Sequence, residues 1–489
     1  MSDTQRLMAF LDNSPSCFHA IANLTRQLEE AGYTPLSEAA SWQLQPGGKY
    51  YLTRNQSALI AFRAPQCAPQ GFMLAASHSD RPCFKVKENP ELETAGVYLR
   101  LAVERYGGML MAPWLDRPLS VAGRVLVETA EGLQSRLVDL DRDLCMIPNV
   151  AIHMNRKAND GYAYNPAVDL IPLLGSLETK GAFRKLVAEA AGCQPEEILG
   201  SDLFLYNREK AKIWGAEGEY LSARALDDLQ CAWATMEGFL QAKEGKSIPV
   251  CCIFDNEEVG SNTQQGADST LLLDTLSRIC AGLGMDYREA LAHSFMVSAD
   301  NAHALHPNHP EYADQNHRPV MNGGIVIKFN ANQRYTTDGV SAALFRQACK
   351  KAGVPTQTFC NRADLAGGST LGNISSSQVS IPTVDVGLPQ LAMHSCYETA
   401  GARDAAYLVQ AMSQVFSMHL TVSGCPSLSE GQLELSAESL PLPAACPAGR
   451  GIVVCKGPVH PGGANCGLLT GTKARPEEVV KSGSGGSPK

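Results

Sequence analysis

Residues 248–261, IPVCCIFDNEEVGS, join a continuous apolar run to an abrupt cluster of polar residues. A short apolar run of this kind is typical of a strand buried on both faces, as in the parallel sheet of an α/β domain. Glu257 and Glu258 follow that strand directly and point in different directions. One carboxylate can therefore hold a metal ion while its neighbour takes a proton from the metal's water. A pair of solvated loop glutamates is the alternative, and the buried strand upstream argues against it.

The sequence on either side of this stretch predicts one α/β domain with a mostly parallel sheet flanked by helices. Residues 1–83 supply two helical patterns, a hairpin and the apolar run GFMLAASHSD, and helix and strand patterns alternate again from residue 221 to residue 420. Between them, residues 84–220 consist of short β-like runs separated by Gly, Pro and Asp. We therefore predict that residues 84–220 form a β-rich domain inserted into the α/β domain.

The last segment, residues 421–489, differs from the rest in composition. It has no aromatic residue but carries twelve Gly and eight Pro, and it ends in KSGSGGSPK. Such a segment cannot bury enough apolar surface to offset its chain entropy, so we predict that it is largely disordered. Its four cysteines and His460 could form a metal clip, but their spacings are long and irregular.

Composition and charge exclude several classes of protein. The chain has 489 residues, of which 41 are Lys or Arg and 50 are Asp or Glu, and the net charge of -9 disfavours nucleic acid as a partner. No apolar window is long enough for a membrane helix, and the first residues do not resemble a signal peptide. The 16 cysteines are scattered without a CxxC pair, which indicates reduced thiols. We predict a cytoplasmic protein.

Two further motifs place candidate metal ligands beside apolar elements. In SHSD, His78 and Asp80 share one face of a strand end, so the aspartate can hold the second ring nitrogen of a metal-bound histidine. Taken alone, this triplet is most often a turn or a surface hydrogen bond. Asp227 and Asp228 open an otherwise apolar helix. Their simpler explanation is favourable charge at a helix N-terminus.

The stretch SFMVSADNAHALHPNHP is another apolar run that ends in polar residues. Asp300 lies directly after the run, and three histidines follow it. Because prolines between the histidines break helical spacing, we predict Asp300 as the ligand and treat His306 and His309 as loop residues. His394 follows the apolar stretch LPQLAM, where a core or capping histidine is the alternative.

Together these motifs supply a complete ligand set for two metal ions. Two divalent ions about 3.5–4 Å apart can share one bridging carboxylate and activate a water. Nitrogen and oxygen ligands without cysteine favour zinc, with manganese or cobalt as substitutes. The set comprises His78, His394, Asp227, Glu258 and Asp300, with Glu257 as a spare base.

The order of these motifs, HSD, DD, NEEVG, SAD and MHS, resembles the aspartyl aminopeptidase family of dizinc metallopeptidases. The stretches SHSDRPCFKVK, YGGMLMAPWLDRPLSVAGRV, DNAHALHPNH and GLPQLAMHS share the family's character, and the resemblance covers roughly residues 5–418. It implies the zinc aminopeptidase type of α/β fold and the release of N-terminal Asp or Glu from peptides. It also implies a homo-oligomer, a tetrahedral dodecamer built from dimers, with the insert in dimerisation.

The resemblance also implies a role for each ligand. One zinc would be held by His78, Asp227 and Asp300, and the other by Asp227, Glu258 and His394, so that Asp227 bridges the two ions. Glu257 would be the general base that deprotonates the bridging water and passes the proton to the leaving amine. Asp80 would orient His78.

Residues outside the ligand set are implied by the resemblance as well. His153, in the insert, would reach into a neighbouring subunit's site and stabilise the tetrahedral oxyanion. Lys328, Tyr335 and His303 would line the pocket for the acidic side chain of the substrate. Without the resemblance, Lys328 is an ordinary exposed lysine. The long C-terminal tail departs from the family pattern and affects the expected contacts of the assembly.

Two other functions stay open. The same dizinc centre could serve an aminopeptidase or a deacylase for neutral substrates, because metal ligands do not determine the substrate pocket. A non-catalytic scaffold of the same fold is the third hypothesis, and the spare base Glu257 argues against it.

Overall fold

The computed structural model of the protein describes residues 1–423 and 432–436. The helices within these ranges are α1 Asp3–Asp12, α2 Cys17–Glu30, α3 Pro166–Asp169, α4 Ala182–Ala191, α5 Leu226–Gln241, α6 Leu271–Leu283, α7 Tyr287–Ala292, α8 Gly339–Ala352, α9 Leu371–Ser375 and α10 Asp404–Phe416. The strands are β1 Thr34–Pro35, β2 Lys49–Arg54, β3 Ala58–Arg63, β4 Phe72–His78, β5 Cys83–Thr94, β6 Tyr98–Tyr106, β7 Leu119–Thr129, β8 Gly132–Asp139, β9 Leu173–Ser176, β10 Ile198–Asn207, β11 Lys212–Trp214, β12 Tyr220–Ala223, β13 Ile248–Phe254, β14 Phe295–Ala299, β15 Ala302–His303, β16 Ile325–Phe329, β17 Thr356–Cys360, β18 Thr383–Gly387, β19 Pro389–Leu391, β20 Glu398–Gly401, β21 His419–Ser423 and β22 Gln432–Ser436.

The largest sheet has nine strands in the order β1-β2-β3-β13-β4-β14-β18-β16-β17. Its central strands β13, β4, β14 and β18 are parallel and buried along their whole length. Side chains alternate between two cores. Met73 belongs to the core that includes residues of α1, α2, α5, α8 and α10, whereas Leu74 belongs to the core that includes residues of α6, α7 and α9. The predicted α/β class with a mostly parallel sheet is confirmed.

The predicted insert contains a second sheet of its own. Six antiparallel strands in the order β8-β7-β10-β5-β6-β9 surround a separate hydrophobic cluster. Within that cluster the rings of Phe84 and Trp114 meet edge to face at 5.1 Å. Helix α4 packs beside β8. The sheet spans Cys83–Asn207.

A third sheet was not predicted from the sequence. It has the order β11-β12-β20-β19-β15. Strands β11 and β12 lie around the predicted end of the insert at residue 220, and β15, β19 and β20 come from the later part of the chain. Strand β12 leads directly into α5, while β19 and β20 flank the turn that carries His394. This small sheet therefore fixes the segments that hold Asp227 and His394.

Two predictions concern the tail and the cysteines. Strand β21 continues past residue 420 and pairs with β22, so the predicted start of the tail falls inside a strand. The other residues of that tail lie outside the described ranges. The cysteines from Cys17 to Cys396 are free thiols, as predicted. No helix in the described part of the chain has the length and apolarity needed to cross a membrane.

Candidate metal centre

Three neighbouring parallel strands deliver polar side chains to one edge of the large sheet. His78 is the last residue of β4, Asp300 follows β14, and Glu257 and Glu258 begin a short turn of 3-10 helix after β13. Asn256 makes that turn with a left-handed φ of 63°, a conformation that asparagine tolerates better than most residues. The carboxyl ends of parallel strands are where sites of α/β proteins are usually built.

Asp227 lies at the centre of this group. Its Oδ1 is 3.6 Å from His78 Nε2, and its Oδ2 is 3.5 Å from His394 Nε2. His394 Nε2 is also 3.5 Å from Glu258 Oε2. Ligand atoms of His78, Asp227, Asp228 and Asp300 lie within 4.8 Å of one another. The same holds for Asp227, Glu258 and His394, and for His78, Glu257 and Glu258. Asp227 belongs to two of these three groups, as a bridging ligand must.

Both histidines present the nitrogen that a metal ion would need. Nδ1 of His78 faces Asp80 Oδ1 at 3.2 Å, and Nδ1 of His394 faces the backbone carbonyl of Gly108. Because these acceptors need a proton on Nδ1, Nε2 is the nitrogen of each ring that is left to bind a metal ion once the ring is neutral. Both Nε2 atoms point at Asp227. This is the arrangement in which an outer acceptor orients a metal-bound imidazole.

The buried carboxylates lack partners that a cation would supply. Asp227 and Glu258 bury an oxygen each, Oδ1 and Oε1 respectively, that no hydrogen-bond donor reaches. An unpaired buried charge is costly, so such oxygens are neutralised by protons or by a metal ion. The donor set of imidazole nitrogens and carboxylate oxygens fits zinc. The residues present therefore fit a zinc centre.

The pKa values in the cluster reflect crowding of buried charges. Burial raises the pKa of Glu257 to about 8, and the nearby Asp300 adds to this rise. Burial, followed by repulsion from Asp227, also raises the pKa of Glu258 well above its usual range. Burial acts against protonation of His394, but the carboxylate of Asp227 outweighs it and raises the pKa of His394 to about 9. A divalent cation would displace these protons.

Asp80 connects His78 to the turn that carries the two glutamates. Its Oδ1 accepts the backbone N–H of Glu257 at 3.1 Å, and its Oδ2 accepts that of Glu258 at 3.2 Å. Tyr106, from β6 of the insert, donates its hydroxyl to Asp80 Oδ2 at 2.7 Å. One buried carboxylate therefore fixes the position of a predicted ligand histidine relative to the turn that carries the predicted general base.

The three residues predicted to bind substrate lie in one cluster that includes the rings of Phe359 and Tyr335. His303 and Tyr335 contact Phe359, with ring centroids 6.0 Å and 6.5 Å apart. Lys328 is buried, lies 5.5 Å from the centre of the Tyr335 ring, and has its Nζ 3.8 Å from Asp300 Oδ1. The expectation of an exposed lysine at residue 328, made without the family, is therefore wrong.

The remaining predicted histidines are exposed. His153 lies in the loop between β8 and α3 and belongs to none of the ligand groups that the described residues form. His306 and His309 are loop residues, as predicted, and the ring of His309 stacks on Tyr312.

Two residues near the centre received no role in the sequence analysis. Asp228 accepts the backbone N–H of His78 at 3.1 Å, and its other oxygen has no partner. Glu398, at the start of β20, is buried and accepts the backbone N–H groups of Asp227 and His394. Two features of the sequence could have indicated these residues. Asp228 stands among apolar residues, and Glu398 follows His394 by four positions.

A buried group of imidazoles and carboxylates, with one further carboxylate beside it, is the site of a metal-dependent hydrolase. The residues also lie at the strand ends of an α/β sheet, where such sites form.

Comparison with known proteins identifies the family. A family model described as aminopeptidase I zinc metalloprotease (M18) matches residues 10–416. The probable M18 family aminopeptidase 2 of Clostridium acetobutylicum is 41% identical over 425 residues, which cover 85% of this chain and 98% of that protein. The protein of the same name from Pseudomonas aeruginosa PAO1 is 43% identical over 421 residues, covering 84% and 97%. The chain therefore belongs to the M18 family of zinc aminopeptidases, which confirms the resemblance.

Solved structures agree with this assignment. The cryo-EM structure of the Ape4 and Nbr1 complex matches with a TM-score of 0.82 and 34% identity, covering 84% of this chain and 85% of that chain. The mApe1 dodecamer of S. cerevisiae matches with a TM-score of 0.75 and 29% identity, covering 84% and 96%.

Proposed function

We propose that this aminopeptidase removes acidic residues, Asp or Glu, from the N-termini of peptides with the help of two zinc ions per subunit. His78, Asp227 and Asp300 would hold one ion, and Asp227, Glu258 and His394 the other. When bound, zinc supplies Lewis-acid polarisation of the scissile carbonyl and lowers the pKa of water. Manganese or cobalt would substitute, since both accept the same donors.

Glu257 is the general base in this proposal. It lies beside the ligand set but belongs to neither set centred on Asp227. Its carboxylate takes the proton of the attacking water and delivers it to the leaving amine. The contact between its backbone N–H and Asp80 fixes the turn from which the carboxylate projects.

The observation that carries the acidic specificity is Lys328. This ammonium group is 3% exposed and lies at the edge of the ligand set, beside Tyr335. Burial opposes the charge, but Asp300 and its neighbours outweigh that effect and raise the pKa of Lys328, so the cation persists. A buried cation next to a peptide-binding centre is suited to a carboxylate side chain. His303 and Tyr335 would complete the pocket.

A second candidate rests on the contact between Lys328 and Asp300. At 3.8 Å from Asp300 Oδ1, the ammonium group could serve only to balance the ligand's charge. The pocket would then accept neutral residues, and the enzyme would be an aminopeptidase or deacylase for neutral substrates.

Lys328→Ala separates the two candidates. We expect the variant to lose about 10- to 100-fold in kcat/KM for a substrate with N-terminal Asp, as for a lost hydrogen bond to a charged group. A matched substrate with N-terminal Leu should change little. The measurement compares both substrates with zinc-loaded and chelator-treated protein, and Lys350→Ala, an exposed lysine of α8, is the control. An equal loss for both substrates favours the second candidate.

The proposal includes a homo-oligomer, a dodecamer built from dimers through the insert. The similar mApe1 of S. cerevisiae is a dodecamer. In this chain, the loop that carries His153 exposes apolar residues on both sides of it, with Ile152 47% and Met154 83% exposed. Exposed apolar groups of this kind mark interaction surfaces. His153 would enter the neighbouring subunit's site and stabilise the oxyanion. The free thiols support a reducing compartment, and we propose the cytoplasm.

A further inference from the structure

We propose that Glu398 is a positioning residue that fixes two metal-binding segments through their backbone amides. Its Oε2 accepts the N–H of Asp227 at 3.0 Å, and its Oε1 accepts the N–H of His394 at 2.8 Å. Asp227 and His394 lie far apart in the sequence, and each belongs to the candidate ligand set. Glu398 touches neither side chain through these bonds, so it acts on the site by placing the backbone from which both side chains project.

The backbone at both segments needs such a support. His394 has a φ of 67°, in the left-handed region that residues other than glycine rarely adopt. Ala225, two residues before Asp227, has a φ of 56° in the same region. Conformations of this kind persist only where the surrounding structure holds them, and they cluster at functional sites. The bond from the His394 amide to Glu398 provides that hold directly.

A buried network extends from Glu398 to the segment that carries Asp300. Gln390 donates to Glu398 Oε1 at 3.4 Å and accepts from the side-chain amide of Asn301 at 2.9 Å. Asn301 follows Asp300 and also donates to the backbone carbonyl of Leu226 at 2.7 Å. Glu398, Gln390 and Asn301 are each 2% exposed or less. The network thus joins three chain segments, each of which supplies a candidate ligand.

The chemistry of the carboxylate matters to this role. Both oxygens of Glu398 are used as acceptors at the same time, one for each segment. A glutamine of the same shape has only one acceptor oxygen, and its NH₂ group would face one of the two backbone N–H groups. Burial of a carboxylate beside Asp227 is unfavourable in itself, and the two amide bonds reduce that cost.

The inference rests on the proposed zinc centre and is tested first by metal affinity. Glu398→Gln should weaken zinc binding by about 10- to 100-fold, the range for residues that orient metal ligands. Zinc affinity is measured by competition with a chromophoric chelator. The visible spectrum of the cobalt-substituted protein should change as well, because cobalt absorption follows ligand geometry.

The matched control is Glu237→Gln. Glu237 is a buried glutamate of α5, the helix that Asp227 opens, and it pairs with Arg6 at 2.6 Å away from the metal site. This change should leave zinc affinity and the cobalt spectrum as in the wild type. A comparable weakening in both variants would overturn the inference, since any perturbation of α5 would then suffice.

A second variant covers the case in which Glu398→Gln does not fold. Gln390→Leu keeps the carboxylate and removes its link to Asn301, and we expect a smaller weakening of zinc binding with an altered cobalt spectrum. If a folded Glu398→Gln protein, or Gln390→Leu in its place, binds zinc and cobalt as the wild type does, the positioning role is wrong. If the wild-type protein itself binds no zinc, the proposed function fails, and this inference fails with it.

Discussion

The α/β part and the β-rich insert present their histidines in opposite ways. His78 is 1% exposed, and both it and His394 have Nδ1 bonded to an acceptor and Nε2 directed at Asp227. His153 instead lies on an exposed loop of the insert between two exposed apolar residues. The first pair converges on one carboxylate, whereas the third histidine belongs to none of the ligand groups that the described residues form. One subunit therefore contains His78 and His394 beside Asp227, and only an assembly could add His153 to such a site.

The largest effect should come from the α/β part, at Glu257→Gln. Without a group to accept the proton of the attacking water, kcat should fall by about 10²- to 10⁴-fold. Zinc content, measured by atomic absorption, should stay at the wild-type level because neither ligand set centred on Asp227 includes Glu257. Glu189→Gln, on the exposed face of α4, is the control and should retain full activity. A variant that loses zinc instead would make Glu257 a ligand.

The next largest effect should come from removal of the metal, which we expect to bind the α/β part and not the insert. Free zinc at 100 times its Kd stabilises the folded protein by about 2.7 kcal/mol. Treatment with a chelator should therefore lower the melting temperature, because the unpartnered oxygens of Asp227 and Glu258 lose their cation. Calorimetry with and without chelator measures the shift, and Glu258→Gln should show a smaller one. Equal melting temperatures for wild-type protein in both conditions would contradict a zinc centre at these residues.

A moderate effect is expected in the insert, at Ile152→Asp. A charge at the centre of an interface typically costs 2 kcal/mol or more, which is roughly a 30-fold weaker association. The assembly should dissociate on dilution and lose activity while its zinc content is unchanged. Size-exclusion chromatography with light scattering measures the mass, and Leu133→Asp, an exposed position of β8 outside this loop, is the control. A variant with the mass and activity of the wild type would contradict a role for this loop in the assembly and for His153 in the neighbouring site.

The smallest effect concerns charges at the surface of the insert. Asp143 forms an ion pair with Arg208 at 2.6 Å but is 68% exposed. Asp143→Ala should lower the free energy of unfolding by less than about 1 kcal/mol. The same change at Asp404, which is fully buried and accepts two backbone N–H groups, should cost about 1–3 kcal/mol. Urea denaturation of both variants measures the order, and a reversed order would contradict this account.

Sequence patterns were sufficient to place His78, Glu258 and Asp300 near the ends of buried strands. A buried parallel strand is mostly apolar, so a polar residue at its end or a few residues after it stands out. The neighbouring positions of those strands in the sheet then bring the three residues together. The order of the motifs supplied Asp227 and His394 by resemblance to the family.

The sequence was less informative about contacts made through the backbone. Glu398 has an ordinary loop pattern around it, and its partners are amide groups, which every residue but proline possesses. The third sheet was missed for a related reason, since β15, β19 and β20 have only two to four residues each and too few for an alternating pattern. Lys328 shows the opposite case, because its burial depends on tertiary contacts such as those with Tyr335 and Asp300 rather than on its neighbours in sequence.

The bonds from Tyr106 to Asp80 and from His394 to Gly108 limit how freely the two parts of the chain could be recombined. The Tyr106 hydroxyl and the Gly108 carbonyl lie at the end of β6 and just after it, yet they orient residues of the α/β part. A chimera in which residues 84–220 are replaced by a different module would lose the acceptor for His394 Nδ1 and the hydroxyl that holds Asp80, the partner of His78. An exchange of the insert would therefore have to leave the stretch Tyr106-Gly107-Gly108 in place beside the α/β part.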